Sequence, residues 1–168
     1  LYNIEKNREE EAILVGLTFD AFTLRQTMED ALFECHHYLD RIPPKVEYHE
    51  HEFYEIFFFL SGDVSYIIEG STYQLRPGDI LLTNNEDIHK PEVRAGKPYE
   101  RYVIWIQPDA IQSFHKLGDD LTACFLDADG RRFKLIRPDS GTVTYLKNLC
   151  EKIILTRKDN GFAKETLA

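Results

Sequence analysis

From Phe33 onward the chain alternates apolar and polar positions in short runs rich in β-branched and aromatic residues, interrupted at short intervals by Gly, Pro, Asn or Asp. Period-two runs of this kind are half-buried strands, and their close spacing is that of an antiparallel meander. The runs predict strands near residues 33–38, 46–60, 64–69, 72–75, 80–83, 89–94 and 99–107. The interruptions predict turns at Ser61-Gly62-Asp63, at Glu69-Gly70-Ser71 and, in type II form, at Arg76-Pro77-Gly78-Asp79. So many short strands close into a sandwich or barrel, which makes the expected class mainly β.

After Gln107 the pattern changes. Pro108-Asp109 opens a helical run over Ala110 to Leu117, which Gly118 stops. Asp127-Ala-Asp129-Gly130 begins like a calcium loop, but the later ligand positions are absent, so it reads as a turn between two short strands. Asp139 or Ser140 caps a second helix running to about Arg157, whose apolar stripe of Val143, Leu146, Cys150, Ile153 and Ile154 should pack on the sheet. Residues 1–32 carry little periodic signal and are read as an amino-terminal arm with the first strands. The remaining division is 33–107 for the barrel core, 108–160 for helices and short strands completing the domain, and 161–168 for the start of a further helix that the sequence leaves incomplete.

Composition narrows this picture. The 168 residues, 43% of them hydrophobic, suffice for one domain with a real core. No basic segment followed by an apolar one opens the chain, and no apolar run is long enough for a membrane span. Cys35, Cys124 and Cys150 are widely spaced and odd in number, so a reducing cytoplasm is the simplest compartment. A net charge of −9 argues against this chain gripping phosphate backbones.

Candidate chemistry concentrates in His49-Glu-His51-Glu-Phe-Tyr-Glu55. On one strand His49, His51 and Glu55 share a face, and Phe53, Phe57 and Phe59 in the same odd-numbered row should turn that face inward. His36 and His37 are adjacent, so they point opposite ways and one of them should be solvent-exposed; His115 is expected on the surface. Trp105 and Tyr102 lie on opposite faces of the last long strand, and the inward one could stack on a sugar or another flat ligand. Arg101 shares its parity with Trp105 and could meet an anionic effector, although a surface position is the ordinary expectation for arginine.

The series His49-x-His51-x3-Glu55-x6-Gly62 resembles the first cupin motif, and Gly78-Asp79 followed by His89 resembles the second. The usual proline and glycine of the second motif are replaced by Asn84 and Glu86, its late asparagine by Val93, and the glycine expected before the first motif by Pro43. With Phe53-Tyr54-Glu55-Ile56 and Tyr73-x-Leu75-x-Pro77-Gly78-Asp79, residues 30 to 160 look most like the amino-terminal sensor domain of AraC-type transcriptional regulators.

The resemblance implies a cupin-like double-stranded β-helix that binds a small effector, most simply a sugar or sugar acid, with His49, His51, Glu55, His89, Trp105 and Arg101 lining the pocket. It implies a homodimer in the full-length regulator and a DNA-binding pair of helix-turn-helix units beyond this sequence. His49, His51, Glu55 and His89 are also the three-histidine, one-glutamate set of cupin metalloenzymes, suited to Zn, Ni, Fe or Mn. The set is read first as pocket lining and the domain as a binding module without catalysis. The alternative is a stand-alone cupin metalloenzyme, a dioxygenase or isomerase, using the same four residues on a metal.

Overall fold

In the last long strand, Tyr99, Arg101, Val103 and Trp105 turn to one side and Glu100, Tyr102, Ile104 and Ile106 to the other, and two cores are built on this alternation. The computed structural model describes residues 19–20, 22–30, 32–114, 121–125 and 134–158. The strands are β1 (Phe33–Asp40), β2 (Tyr54–Ser61), β3 (Val64–Ile68), β4 (Ser71–Gln74), β5 (Ile80–Thr83), β6 (His89–Val93), β7 (Tyr99–Ile106) and β8 (Leu135–Ile136). The helices are α1 (Pro108–Phe114) and α2 (Ser140–Lys158), with a 3-10 turn at Leu121–Cys124.

An antiparallel five-stranded sheet, ordered β1-β7-β2-β5-β8, faces a three-stranded sheet ordered β4-β3-β6. Between them lies the first core, with Phe57, Phe59, Leu81, Tyr99 and Val103 from one sheet against Val64, Tyr66 and Ile68 from the other. The second core lies on the outer face of the larger sheet, where Cys35, Tyr54, Phe58, Leu82 and Tyr102 are covered by Ile111, Phe125, Cys150 and Ile154. The stripe of α2 supplies that cover, and Asp139 caps the helix by accepting from the amides of Gly141 and Thr142 at 2.8 and 3.0 Å. No described helix is long and apolar enough to cross a membrane.

Six of the seven predicted runs lie where the alternation places them. The exception is the predicted run over 46–60, of which only Tyr54–Ser61 is strand. Residues before it leave the sheet because His49 pairs instead with His89, each amide donating to the other's carbonyl at 3.1 and 2.9 Å. His115, the Asp127–Gly130 turn, the end of the predicted 110–117 helix and residues 161–168 lie outside the described residues.

The Arg76–Asp79 turn closes with the Asp79 amide on the Arg76 carbonyl at 2.9 Å, with Gly78 at φ +95°. A Cβ on Gly78 would also stand 2.9 Å from Val143 Cγ2, on the helix above. Gly78→Ala should therefore lower the free energy of unfolding by about 1–3 kcal/mol in urea titration. An unchanged midpoint would mean that the turn and α2 are not held as described.

Candidate functional site

Glu55 enters the site from the inward row of β2, opposite Thr83 of β5 and Trp105 of β7. His51 reaches it from the irregular approach to β2, and His89 from the first position of β6. Ligand atoms of these three residues all lie within 4.8 Å of one another, and all three side chains are buried. Sequence parity put His49, His51 and Glu55 on one face of a single strand; instead His49 and His51 precede the strand, and the loop brings His51 to Glu55.

The three imidazoles are held alike. Nδ1 of His49 lies 2.9 Å from the Glu47 carbonyl, Nδ1 of His51 2.8 Å from that of Phe53, and Nδ1 of His89 2.8 Å from that of Asp87. A carbonyl only accepts, so each Nδ1 carries a proton, and in a neutral ring the Nε2 then presents a lone pair. Nε2 of His51 and of His89 are buried and make no hydrogen bond among the described residues. His49 is half-buried; its ring centroid is 4.3 Å from that of His89, but it stands outside the tight trio.

Glu55 is the hub. Trp105 Nε1 donates to one of its carboxylate oxygens at 2.8 Å, and the Tyr66 hydroxyl donates to the other at 3.2 Å. His51 Nε2 stands 3.6 Å from Oε2. Burial pushes the Glu55 pKa up, but His51, His89 and the Trp105 bond outweigh it and leave the carboxyl at about 2. For His89 burial dominates, pushing its pKa down to about 4 against the attraction of Glu55. Burial and the Glu55 charge raise Tyr66 well above its ordinary value, so it remains a hydrogen-bond donor. At neutral pH the site thus offers the Glu55 carboxylate and a neutral His89, with the buried Nε2 atoms of His51 and His89 turned to it. Such a donor set fits a divalent transition metal, with His51, Glu55 and His89 as ligands.

A cavity of about 50 Å³ adjoins the trio, bounded by His49, His51, Glu55, Tyr66, Arg101 and Trp105 and covered by residues 22–26. The cover is fastened: Arg25 Nη2 reaches Glu34 Oε2 at 2.5 Å, its guanidinium lies 5.1 Å from the Trp105 ring, and Phe22 sets its edge on Tyr38. Trp105 is thus inward and bonded to the site, while Tyr102 lies in the outer core.

Two expectations fail. Arg101 is 2% exposed, not a surface residue, because Asp40 takes its charge and the Phe22, Tyr38 and Tyr99 rings enclose its guanidinium. Neither His36 nor His37 is solvent-exposed. His36 bonds Glu34 at 2.9 Å and is largely covered; His37 is buried on Tyr102 and bonds Glu100 at 3.1 Å. Both sides of β1 are covered, one by the arm and one by the helical layer.

Sequence reasoning passed over Tyr66, Thr83 and Arg25. The inward row of β3 gives the signal for Tyr66, and Thr83, whose buried Oγ1 has no hydrogen-bond partner among the described residues, stands opposite Glu55 only through the β2–β5 register. Nothing local to Arg25 marks it.

The model of the AraC-like ligand binding domain matches residues 34–168. The chain belongs to that family. Among solved structures, the AraC-like domain is similar to ToxT from Vibrio cholerae, with 18% identity over 71% of this chain and 48% of that one at a TM-score of 0.51. It is also similar to a Cupin 2 conserved barrel domain protein from Salinispora arenicola, with 20% identity over 52% of this chain and 73% of that one at 0.41. A cupin protein from Bacteroides fragilis shows 17% identity over 54% of this chain and 86% of that one, also at 0.41. The chain spans about half the length of ToxT. No curated protein matches it. The AraC-like domain is therefore a mainly β member of a ligand-binding family.

Proposed function

We propose that the AraC-like domain takes a small effector through the barrel mouth and relays its occupancy to a cytoplasmic transcriptional regulator whose DNA-binding part lies outside this sequence. The covered cavity carries this reading: aromatic walls, buried lone pairs and a carboxylate converge beneath a fastened segment. Aromatic faces beside polar acceptors suit a sugar or sugar acid. At about 50 Å³ the cavity is far below the roughly 300–1,000 Å³ of small-molecule sites. An effector of that size requires residues 22–26 to lift, so it favours an open form by the difference in its affinity for the two forms. Tyr145 and Leu149, exposed one turn apart on α2, support a homodimer through that helix and the residues beyond it.

The test is a thermal-shift screen of sugars, sugar acids and other organic acids on the full chain. The expected result is a melting temperature that climbs with ligand concentration and a smaller response in His49→Ala. No response from any compound, with or without added divalent metal, would overturn the effector reading.

The two buried Nε2 atoms favour a second reading, a metal centre on His51, Glu55 and His89 with His49 as a fourth ligand, serving either the sensor or a cupin metalloenzyme. A bound divalent ion would supply Lewis acidity and open coordination positions. Mass spectrometry of protein purified without a histidine tag should then find near one equivalent of a transition metal, and little in the His49→Ala/His51→Ala variant. Equal traces in both would dismiss it.

A further inference from the structure

His89 is aimed by a turn that lacks the proline and glycine expected there, yet it is fully buried and its ring is held by a hydrogen bond. The substitute is a network of side chains. The Asn84 amide donates to Asp87 Oδ2 at 2.8 Å, the Glu86 amide to Asn84 Oδ1 at 2.9 Å, and the Asp87 carbonyl accepts His89 Nδ1. Asp87 Oδ2 also receives the Lys134 ammonium, from the residue just before β8.

That pair is buried, with Asp87 3% and Lys134 5% exposed. Desolvating an ammonium costs several kcal/mol, and an apolar side chain of similar length would fill the space without that cost. The Lys134 main chain is itself anchored, its carbonyl accepting the Leu82 amide of β5 at 2.9 Å, and Nζ reaches the Phe125 carbonyl at 3.5 Å. A rigid base therefore delivers the charge to one carboxylate, at the turn whose last carbonyl fixes His89.

We propose that Lys134 and Asp87 are positioning residues for His89, a buried strut that locks the 84–87 turn and so holds the imidazole as the Nδ1–H tautomer with Nε2 turned to the site. The inference rests on the reading that Nε2 of His89 serves a ligand or metal. Carboxylates and carbonyls that orient a ligating histidine are typically worth tenfold to a hundredfold in metal affinity. Here the strut acts one bond further out, through the carbonyl.

The experiment uses the full 168-residue chain. Long-range proton–nitrogen spectra of the imidazoles report the His89 tautomer, and Co²⁺ titration followed by absorption reports the site. In Lys134→Met the expected result is a mixture of His89 tautomers and at least tenfold weaker Co²⁺ binding. Arg137→Met, which breaks the neighbouring but more exposed pair with Asp79, should leave both unchanged. If Lys134→Met does not fold, Asp87→Asn serves instead, since it keeps an acceptor for the Asn84 amide and removes the charge. A single Nδ1–H tautomer with Co²⁺ affinity within twofold of the parent would overturn the strut, as would an equal response to Arg137→Met. A parent that binds no Co²⁺ would count against the metal reading alone, and the tautomer spectra would still decide the strut.

Discussion

Acidification from pH 7 to pH 4 should remove about 3 kcal/mol of stability through His89, the worth of displacing its pKa from 6.5 to about 4. The sign follows from proton uptake. The unfolded chain protonates this imidazole near 6.5 and the folded chain only near 4, so between those values the unfolded state binds more protons and is favoured as pH falls. The contribution is complete above pH 6.5 and is lost towards pH 4. His36 works the other way: burial opposes its charge, but Asp20 and Glu34 raise its pKa above the ordinary value, so it adds stability on acidification. The His89 share is therefore isolated by difference. Urea unfolding of the parent and of His89→Gln across this range should give stability curves that diverge by about 3 kcal/mol. Parallel curves would mean that His89 is not desolvated as described. The functional corollary is that His89 stays neutral near pH 7, with Nε2 free to accept or ligate.

The barrel was legible because its signal is local. Alternation over a few residues fixes which row turns inward, and Gly62, Gly70 and Gly78, all at positive φ, mark the turns that the sequence punctuates. The same parity set Trp105 and Tyr102 on opposite faces, and Trp105 is the inward one. It misled at 46–53, where alternation continues but the ladder partner of His49 is His89, forty residues away. It put Arg101 in the row of Trp105 but did not mark the partners that bury it there, a ring from the arm, a ring and a carboxylate from β1 and a ring from β7 itself. The second-motif turn shows the same limit. Asn84 and Glu86 read as departures, and their compensation comes from Lys134, beyond a stretch with no periodic signal. Long-range polar partners leave no mark on hydrophobic period, and they are what shape this site.

Glu55→Leu should cost about 3–5 kcal/mol of unfolding free energy, more than the removal of a carboxylate from a polar cavity would suggest. The carboxylate is the acceptor for two buried donors, Trp105 Nε1 and the Tyr66 hydroxyl, and leucine leaves both without a partner in the middle of the first core. Glu55→Gln keeps one carbonyl oxygen for Trp105 and presents an amide to Tyr66, whose hydroxyl oxygen can accept; about 1 kcal/mol is expected there. Urea denaturation of both variants measures the difference, and a Glu55→Leu protein within 1 kcal/mol of the parent would refute the hub. Ligand measurements on the same pair then separate structure from function. Glutamine preserves the scaffold but removes the negative charge beside the two buried imidazoles. Co²⁺ binding should therefore fall at least tenfold in Glu55→Gln, although its fold is nearly as stable as the parent's. An effector that only stacks on Trp105 should still bind it.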